Sequence, residues 1–437
     1  MTSLSSEKSN GLKGTVKIPG DKSISHRSLM LGAIADGKTM VSGLLMGEDV
    51  LCTAEALGKM GVDISLPKTE ADDAIIHGVG LNGFVQPQSD LDMGNSGTST
   101  RLLMGLIAGH DISVRFVGDA SLSKRPMKRV TDPVSQMGAR FKSQGDKMQL
   151  PLDMVGTKDV KPIHYELPVA SAQVKSAIIL AGLYSDGVTE VIEPKPTRDH
   201  SENMLRNMGA DITVDGPSIK VRGGRTLKAS HINVPSDPSS AAFITVAALI
   251  TPNSEVYMPN IGMNPRRDGL YKTLVEMGAD ITFENEREEA GERVVDLRVE
   301  SSALKGIDVP ADRAPSMIDE YPILFVAASC ADGETYMPGL HELRVKESDR
   351  LGAMAQGLSD CGVKLELGDD DLRIFGGGKP PKGGALVKTH LDHRIAMSFL
   401  VLGLVAEQSI KIDDVSPVYT SFPSFTQLMT DLGAVFT

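Results

Sequence analysis

Five cations stand where a helix-like segment begins, and these positions are suited to binding an anion. They are Lys22, Arg27, Arg101, Lys175 and Arg394. A cation near a helix N-terminus opposes the helix dipole by typically ~0.3 to 1 kcal/mol, so each position is unfavourable without a ligand. A bound anion reverses this penalty, because backbone amides and basic side chains then converge on one negative group. If symmetry brings several of these helix starts together, the ligand that they fit is multiply anionic.

Three further segments concentrate basic residues before helix-like runs. Residues 343–350 read LRVKESDR, and for that segment alone a solvated face of salt bridges is the simpler interpretation. Residues 123–129 and 196–200 add SKRPMKR and PTRDH in predicted loops. Anion-binding arginines are commonly mounted on such loops, so the three segments together favour an anionic ligand.

Other familiar sites do not fit the sequence. Residues 376–384 are rich in glycine but lack P-loop spacing, and a strand-like run follows them, so we interpret them as a turn. His390 and His393 have metal-like spacing, yet no third ligand cluster is apparent and Arg394 would repel a cation. We therefore expect no metal site.

The composition indicates an acidic chain of more than one domain. Its 437 residues include 45 Lys and Arg against 57 Asp and Glu, which gives a formal net charge of −12. No apolar run reaches the roughly 18 residues of a membrane helix, and residues 1–10 lack the apolar stretch of a secretory signal. Cys52, Cys330 and Cys361 are too scattered for a disulfide framework. We predict a cytoplasmic location, and the acidity disfavours nucleic acid or an anionic membrane as a partner.

The elements that carry these residues form an internal repeat. A helix-like run ending in a glycine recurs six times, and a strand-like stretch follows most copies, which is typical of a left-handed helix C-cap. The glycines are Gly61, Gly138, Gly209, Gly278, Gly362 and Gly433.

A second, apolar helix precedes each of these glycines by about 25 to 30 residues. These helices are apolar nearly all round, so we predict that they are buried. They cover residues 28–35, 102–108, 176–183, 241–250, 323–331 and 395–406. Their openings are rich in capping residues, and we interpret Ser239 and Ser240 as caps without a further function.

Five motifs, taken in order, resemble the 5-enolpyruvylshikimate-3-phosphate synthase family over essentially the whole chain. They occupy residues 20–27, 94–98, 124–127, 344–350 and 392–394. The resemblance implies an α/β (α+β) fold, a two-domain inverse α/β barrel of six βαβαββ repeats with apolar helices inside and sheets outside. It assigns repeats 1–3 to residues 22–237 and repeats 4–6 to residues 1–21 plus 238–437. The active site would lie in the interdomain cleft.

The resemblance also implies the reaction. The enolpyruvyl (carboxyvinyl) group of phosphoenolpyruvate would move to the 5-hydroxyl of shikimate 3-phosphate with release of phosphate, in the shikimate pathway to chorismate and the aromatic amino acids. Shikimate 3-phosphate would contact Lys22, Ser23, Arg27, Ser171, Ala172, Gln173, Arg198, Asp319 and Lys346. Phosphoenolpyruvate would contact Lys22, Gly97, Arg125, Gln173, Arg350 and Arg394. No cofactor is implied, and we expect a monomer.

Three residues carry the catalytic roles that follow from the resemblance. Asp319 is the candidate base for the 5-hydroxyl, and Glu347 is the candidate acid for the enol carbon, with the roles reversed when the intermediate collapses. Lys22 would position both substrates and assist proton transfer.

Some positions depart from the commonest family pattern. Ala172 stands where some members have a second serine, and Thr420 stands where many members have a lysine. Both resemble the second sequence class of the family. Some members of that class tolerate glyphosate, a mimic of phosphoenolpyruvate, through an alanine at the position of Gly97, so we expect ordinary sensitivity here.

Two alternative functions remain open on the sequence. UDP-N-acetylglucosamine enolpyruvyl transferase shares the fold and the donor, but that family usually has a cysteine or an aspartate in the loop that matches residues 121–125, and this loop has neither. A non-catalytic binder of anionic metabolites or nucleic acid would keep the basic residues but not the acid and the base. The presence of Asp319 and Glu347 and the acidic total weigh against a binder.

Overall fold

The computed structural model describes residues 2–69 and 72–437. The chain divides into two compact units. We call Gly20–Val234 with Glu289–Glu292 the N-terminal unit, and Met1–Pro19, Pro235–Glu288 and Arg293–Thr437 the C-terminal unit. Each unit has its own hydrophobic core.

The secondary structure alternates short strands with helices. The strands, in chain order, are β1 Leu4–Glu7, β2 Lys13–Thr15, β3 Asp36–Ser42, β4 Asp63–Ser65, β5 Ala74–Val79, β6 Leu91–Asp92, β7 Ser113–Val117, β8 Arg140–Ser143, β9 Leu152–Val155, β10 His164–Glu166, β11 Val188–Ile192, β12 Asp211–Asp215, β13 Ser218–Arg222, β14 His231–Asn233, β15 Glu255–Gly262, β16 Asp280–Glu289, β17 Glu292–Glu300, β18 Asp332–Pro338, β19 Lys364–Leu367, β20 Asp371–Gly377, β21 Leu386–Val387, β22 Ile410–Ile412 and β23 Val435–Phe436. The α-helices are α1 Lys22–Ile34, α2 Glu48–Lys59, α3 Gly97–Ile107, α4 Lys128–Gln136, α5 Ala172–Gly182, α6 His200–Asn207, α7 Pro238–Ile250, α8 Gly269–Glu276, α9 Tyr321–Cys330, α10 Arg350–Asp360, α11 His393–Gly403, α12 Ser416–Ser421 and α13 Phe425–Asp431. Short 3-10 helices span Leu122–Lys124, Ala311–Ser316 and His341–Val345.

The six repeat glycines have the predicted backbone conformation. Their φ angles are +93° at Gly61, +114° at Gly138, +90° at Gly209, +91° at Gly278, +84° at Gly362 and +112° at Gly433. Each glycine follows a helix, namely α2, α4, α6, α8, α10 or α13, and precedes a strand. Glycine tolerates this left-handed region without the Cβ clash of other residues, so it ends the helix and redirects the chain. The predicted helix–glycine–strand unit is confirmed.

Each repeat builds one small sheet. The N-terminal unit has the strand orders β14-β3-β5-β4, β6-β7-β9-β8 and β10-β11-β13-β12. The C-terminal unit has β16-β17-β15-β2, β18-β20-β19 and β21-β22-β1-β23. Every four-stranded sheet contains one parallel pair, formed by the strand that follows the apolar helix and the strand at the edge.

Strands that are distant in sequence complete three of these sheets. β1 pairs antiparallel with β22 and β23, and so fills a place in the last repeat. β2 pairs parallel with β15, which places it in the fourth repeat. β14 pairs parallel with β3, which returns the chain to the first repeat. These pairings explain why residues near the N-terminus belong to the C-terminal unit.

The apolar helices form the cores of the two units. In α7, every residue from Pro238 to Leu249 is buried, and in α9 every residue from Tyr321 to Ser329 is buried. Helices that are apolar on all sides need this environment, so the predicted burial is confirmed. None of the described helices has both the length and the apolar character needed to cross a membrane.

Side-chain caps begin five of the six apolar helices. The capping residues are Asp21, Ser96, Ser171, Asp237 and Asp392. The interpretation of Ser239 and Ser240 as caps is wrong, because Asp237 caps α7 through the amide of Ser239. The hydroxyl of Ser239 instead donates to Glu320.

Candidate active site

The start of α3 lies among several of the predicted phosphoenolpyruvate residues. The guanidinium of Arg101 donates from Nη1 to Oε1 of Gln173 at 2.6 Å, and Nε2 of Gln173 donates to Oγ1 of Thr98 at 2.9 Å. These bonds join the first turns of α3 and α5. Arg125 donates from Nη2 to Oδ1 of Asn95, just before α3.

Two guanidinium groups approach the same point on Gly97. A methyl group at Gly97 would lie 2.9 Å from Nη1 of Arg101 and 3.3 Å from Nη1 of Arg125. Two cations at the amide end of a helix are favourable when an anion lies between them, since the helix dipole adds to their charge. The geometry therefore gives the α3 start the character of an anion site. It brings Gly97, Arg125 and Gln173 together.

Arg101 and Asn95 are not among the site residues predicted from the sequence, although both lie in this group. A signal was available for Arg101, because it is one of the helix-start cations. Asn95 stands within the motif at residues 94–98, but its residue type alone did not distinguish it from a cap. Asp49 was also missed. It forms an ion pair with Lys22, and nothing in the sequence marked it as a partner from another helix.

Four other predicted residues of the N-terminal unit lie at the starts of α1 and α5, namely Lys22, Ser23, Ser171 and Ala172. Ser171 caps α5, and its Oγ accepts a hydrogen bond from the amide of Val174 at 3.4 Å. Ala172 is the first residue of α5 and contributes only a methyl group. The carbonyl of Ser23 accepts a hydrogen bond from Nη1 of Arg27 at 3.0 Å.

Arg27 is buried and held by two serines of its own unit. Its Nε donates to Oγ of Ser201 at 2.8 Å, and its Nη2 donates to Oγ of Ser176 at 2.9 Å. The pKa of Arg27 is lowered to about 10, chiefly by burial and also by the nearby charge of Arg198, although Glu202 and other acids raise it. Arg198 itself is half-buried in the segment before α6. Two interacting cations at one place again favour a negative ligand.

The predicted site residues of the C-terminal unit form one cluster around Arg350. The side chain of Arg350 is 1% exposed. Its Nε donates to Oδ2 of Asp392 at 2.7 Å, and its Nη1 lies 3.3 Å from Oδ1 of Asp319. Its Nη2 forms an ion pair with Glu347. Burial alone would lower the pKa of Arg350, but these three carboxylates raise it far above its ordinary value.

Two more cations face the Asp319 segment. Nζ of Lys346 lies 3.4 Å from Oδ1 of Asp319. Nη1 of Arg394 donates to the backbone carbonyl of Asp319 at 2.8 Å and lies 3.6 Å from Oε1 of Glu320. The carboxylate of the candidate base therefore contacts two cations, Lys346 and Arg350.

One helix-start cation does not serve an external anion. Lys175 is completely buried, and its Nζ forms ion pairs with Glu193 and Glu202. The interpretation of Lys175 as an anion-binding residue is wrong, because the protein itself supplies the negative charge.

The histidine pair that resembled a metal site and the departure at Thr420 were two further features of the sequence. Among the described residues, no group of three or more His, Cys, Asp or Glu side chains is placed to hold a metal ion. Asp392 lies between His390 and His393, the first residue of α11. Its carboxylate accepts hydrogen bonds from Nε of Arg350 and from the amide of Arg394, so it caps the helix. Thr420 donates from Oγ1 to the carbonyl of Pro417 at 2.8 Å, so its hydroxyl serves α12.

Six copies of one α/β repeat, with basic side chains at helix starts and three carboxylates beside a buried arginine, agree with the class of enzyme that the sequence resemblance implied. A family model described as EPSP synthase (3-phosphoshikimate 1-carboxyvinyltransferase) matches residues 6–429. The chain belongs to this family.

Individual relatives agree along the full length. A 3-phosphoshikimate 1-carboxyvinyltransferase from Cereibacter sphaeroides is 55% identical over 436 residues, covering 99% of this chain and 97% of that protein. Its counterpart from Paramagnetospirillum magneticum is 56% identical over 438 residues, with the same coverage of 99% and 97%. A solved structure of EPSP synthase from Acinetobacter baumannii matches with a TM-score of 0.90 and 47% identity, covering 100% of both chains. The predicted family, fold class and enzyme class are confirmed.

Proposed function

We propose that the chain transfers the enolpyruvyl group of phosphoenolpyruvate to the 5-hydroxyl of shikimate 3-phosphate. The products are 5-enolpyruvylshikimate 3-phosphate and phosphate. Membership of the family supports the reaction class, and the observation that carries the residue assignment is the cluster in which Arg350 holds both Asp319 and Glu347.

Phosphoenolpyruvate is the ligand of the α3 start in the N-terminal unit and of two arginines in the C-terminal unit. In the N-terminal unit, the α3 start with Gly97 and Arg125 would hold one of its anionic groups, and Gln173 would orient it. In the C-terminal unit, Arg394 and Arg350 supply positive charge. Lys22 would contact both substrates.

Shikimate 3-phosphate is the ligand of the α1 and α5 starts and of the Asp319 segment. A phosphate, a carboxylate and hydroxyl groups need cations, helix amides and hydrogen-bond acceptors. The residues that provide them are Lys22, Ser23, Arg27, Ser171, Ala172, Gln173, Arg198, Asp319 and Lys346. At Ala172 the contact is limited to the backbone and a methyl group.

The chemistry needs one base and one acid in each direction. Asp319 accepts the proton of the 5-hydroxyl as its oxygen attacks C2 of phosphoenolpyruvate, while Glu347 donates a proton to C3. The tetrahedral intermediate then loses a C3 proton to Glu347 as the C2–O bond to phosphate breaks, and the C2–C3 double bond re-forms. Asp319 gives its proton to the departing phosphate, so both carboxyl groups return to their starting forms. Arg350 keeps the two carboxylates in place, and proximity with charge neutralisation supplies most of the rate.

Paired substitutions test these two roles. Asp319→Asn and Glu347→Gln should each lower kcat by roughly 10² to 10⁴-fold, the usual contribution of general acid–base catalysis. Glu347→Gln should still bind shikimate 3-phosphate by calorimetry. Asp360→Asn, at the far end of α10, is the matched control and should leave kcat unchanged. Native kcat in a folded Glu347→Gln variant would remove Glu347 from its role.

The oligomeric state and the cellular location also belong to the proposal. We propose that the chain acts as a monomer in the cytoplasm. Each unit has its own buried core, and the three cysteines are free thiols, which is typical of proteins from reducing compartments. Light scattering after gel filtration should give a mass near 46.6 kDa, and twice that value would contradict the monomer.

A further inference from the structure

The N-terminal unit contains three buried charges that the proposed reaction does not use. The side chains of Lys175, Glu193 and Glu202 are 0%, 8% and 2% exposed. Nζ of Lys175 lies 2.7 Å from Oε1 of Glu202 and 3.2 Å from Oε2 of Glu193. The group joins α5, the segment after β11, and α6.

Stability alone is a weak reason to keep such a group. Removing charges from water costs several kcal/mol per ion, and well-packed apolar residues at such places are often equally stable or more stable. A buried ion group is better explained when it fixes a particular geometry. The relevant question is therefore which side chains this group orients.

Glu193 fixes the segment that carries Arg198. Its Oε2 accepts a hydrogen bond from the amide of Thr197 at 3.1 Å and a second from Oγ1 of Thr197 at 2.7 Å. Thr197 directly precedes Arg198. A charged acceptor that holds both donors of one residue fixes its backbone and its side chain at once.

The same group also reaches Arg27. Ser176, next to Lys175, and Ser201, next to Glu202, are joined by a 2.7 Å hydrogen bond between their Oγ atoms. Both serines accept hydrogen bonds from Arg27. The neighbours of the buried charges are thus the residues that hold Arg27 in place.

We propose that Lys175, Glu193 and Thr197 are positioning residues for shikimate 3-phosphate. They hold Arg198 where it can meet the anionic groups of this substrate, and they act through Arg198 without touching the substrate. The inference rests on the proposed function, in which Arg198 contacts shikimate 3-phosphate. It predicts a defect in the KM for one substrate and little change in kcat.

The sharpest variant is Thr197→Val, which keeps the side-chain shape and removes the Oγ1 donor. We expect the KM for shikimate 3-phosphate to rise about tenfold, the scale of one lost hydrogen bond to a charged group. The KM for phosphoenolpyruvate and kcat should remain close to native. Thr197→Ser restores the hydroxyl and should restore the native KM.

A second threonine of the same unit provides the control. Thr189 of β11 is buried, and no hydrogen-bond partner for its Oγ1 lies among the described residues. Thr189→Val should leave both KM values unchanged. Lys175→Met should raise the KM for shikimate 3-phosphate as Thr197→Val does. Because Lys175→Met removes a buried charge, Thr197→Val remains the decisive variant if Lys175→Met fails to fold.

Arg198→Ala separates this inference from the function on which it rests. If Arg198→Ala raises the KM for shikimate 3-phosphate and Thr197→Val does not, the positioning role is overturned and the contact of Arg198 stands. If Arg198→Ala leaves this KM unchanged, the substrate contact fails, and the positioning inference fails with it. A Thr197→Val variant with a lower Tm and equal changes in both KM values would indicate a purely structural role and would also contradict the proposal.

Discussion

Arg350 is the residue at which the charges of the C-terminal cluster meet. Three carboxylates contact its guanidinium, from Asp319, Glu347 and Asp392. The sequence showed that residues 343–350 were rich in charge, but alternating charges on one segment are equally typical of a solvated surface. The two partners outside that segment come from the turn before α9 and from the cap of α11. No local pattern predicts such distant contacts, so the burial of Arg350 required the structure.

Gly97→Ala tests the convergence of guanidinium groups at the start of α3. The new methyl group would lie 2.9 Å from Arg101 and 3.3 Å from Arg125, so at least one guanidinium must shift. We expect the KM for phosphoenolpyruvate to rise several-fold, because the displaced cation would no longer face the anion. The KM for shikimate 3-phosphate should change much less.

Steady-state kinetics with each substrate varied in turn measure this effect. Gly58→Ala is the control, since a methyl group there meets no atom within 4 Å. Equal KM values for phosphoenolpyruvate in native enzyme and Gly97→Ala would contradict the placement of that substrate at α3.

The repeat elements show which structural features local sequence can predict. The six glycines mark helix ends because a left-handed residue is a local requirement, and all six have positive φ. Strand pairing is not local. β1, β2 and β14 each complete a sheet whose other strands lie far away in sequence, and short strands without strong patterning do not identify their partners.

Gly209 and Gly58 provide a matched test of this backbone argument. Neither glycine would bring a new methyl group within 4 Å of another atom, so only backbone conformation differs. Gly209 has φ of +90°, where an alanine is strained, and Gly209→Ala should lower the free energy of unfolding by ~1 to 2 kcal/mol. Gly58 lies within α2, and Gly58→Ala should raise it by ~0.5 kcal/mol. Urea unfolding measures both, and changes of the same sign would contradict the account.

The carboxylate of Asp296 should make a contribution to the stability of the sheet of β15 and β17 that is lost in acid. Burial raises the pKa of Asp296, but hydrogen bonds from Asn260, Asn285, Tyr257 and Arg287 lower it more, to about 2 from 3.8. A lowered pKa in the folded state stabilises the protein above the unfolded value near pH 4. This contribution is lost as the pH falls toward 2.

Asp296→Asn should therefore be less stable than the native protein at pH 7, and the difference should shrink between pH 4 and pH 2. Urea unfolding at several pH values measures this difference, with Asp215→Asn on an exposed strand end as the control. A stability difference that is constant from pH 7 to pH 2 would show that the charge of Asp296 is not responsible.

For the whole molecule, local charge explains more than net charge. A formal charge of −12 would disfavour an anionic substrate if net charge decided binding. The cations instead stand in the first two turns of helices and in segments before helices, where the sequence predicted loops and helix starts for Lys22, Arg27, Arg125, Arg198, Lys346, Arg350 and Arg394. The number of these cations could be read from the sequence. The sequence could not show which helix-start cations are neutralised by carboxylates of the protein itself. Lys175 is such a cation, because its partners are Glu193 and Glu202.

The most direct test of the function is phosphate release from phosphoenolpyruvate by the purified full-length chain. Shikimate 3-phosphate and UDP-N-acetylglucosamine are offered separately as acceptors. The account predicts release with shikimate 3-phosphate alone, and the amount of phosphate should equal the amount of enolpyruvyl product. Release with UDP-N-acetylglucosamine alone, or no release with either acceptor, would contradict it.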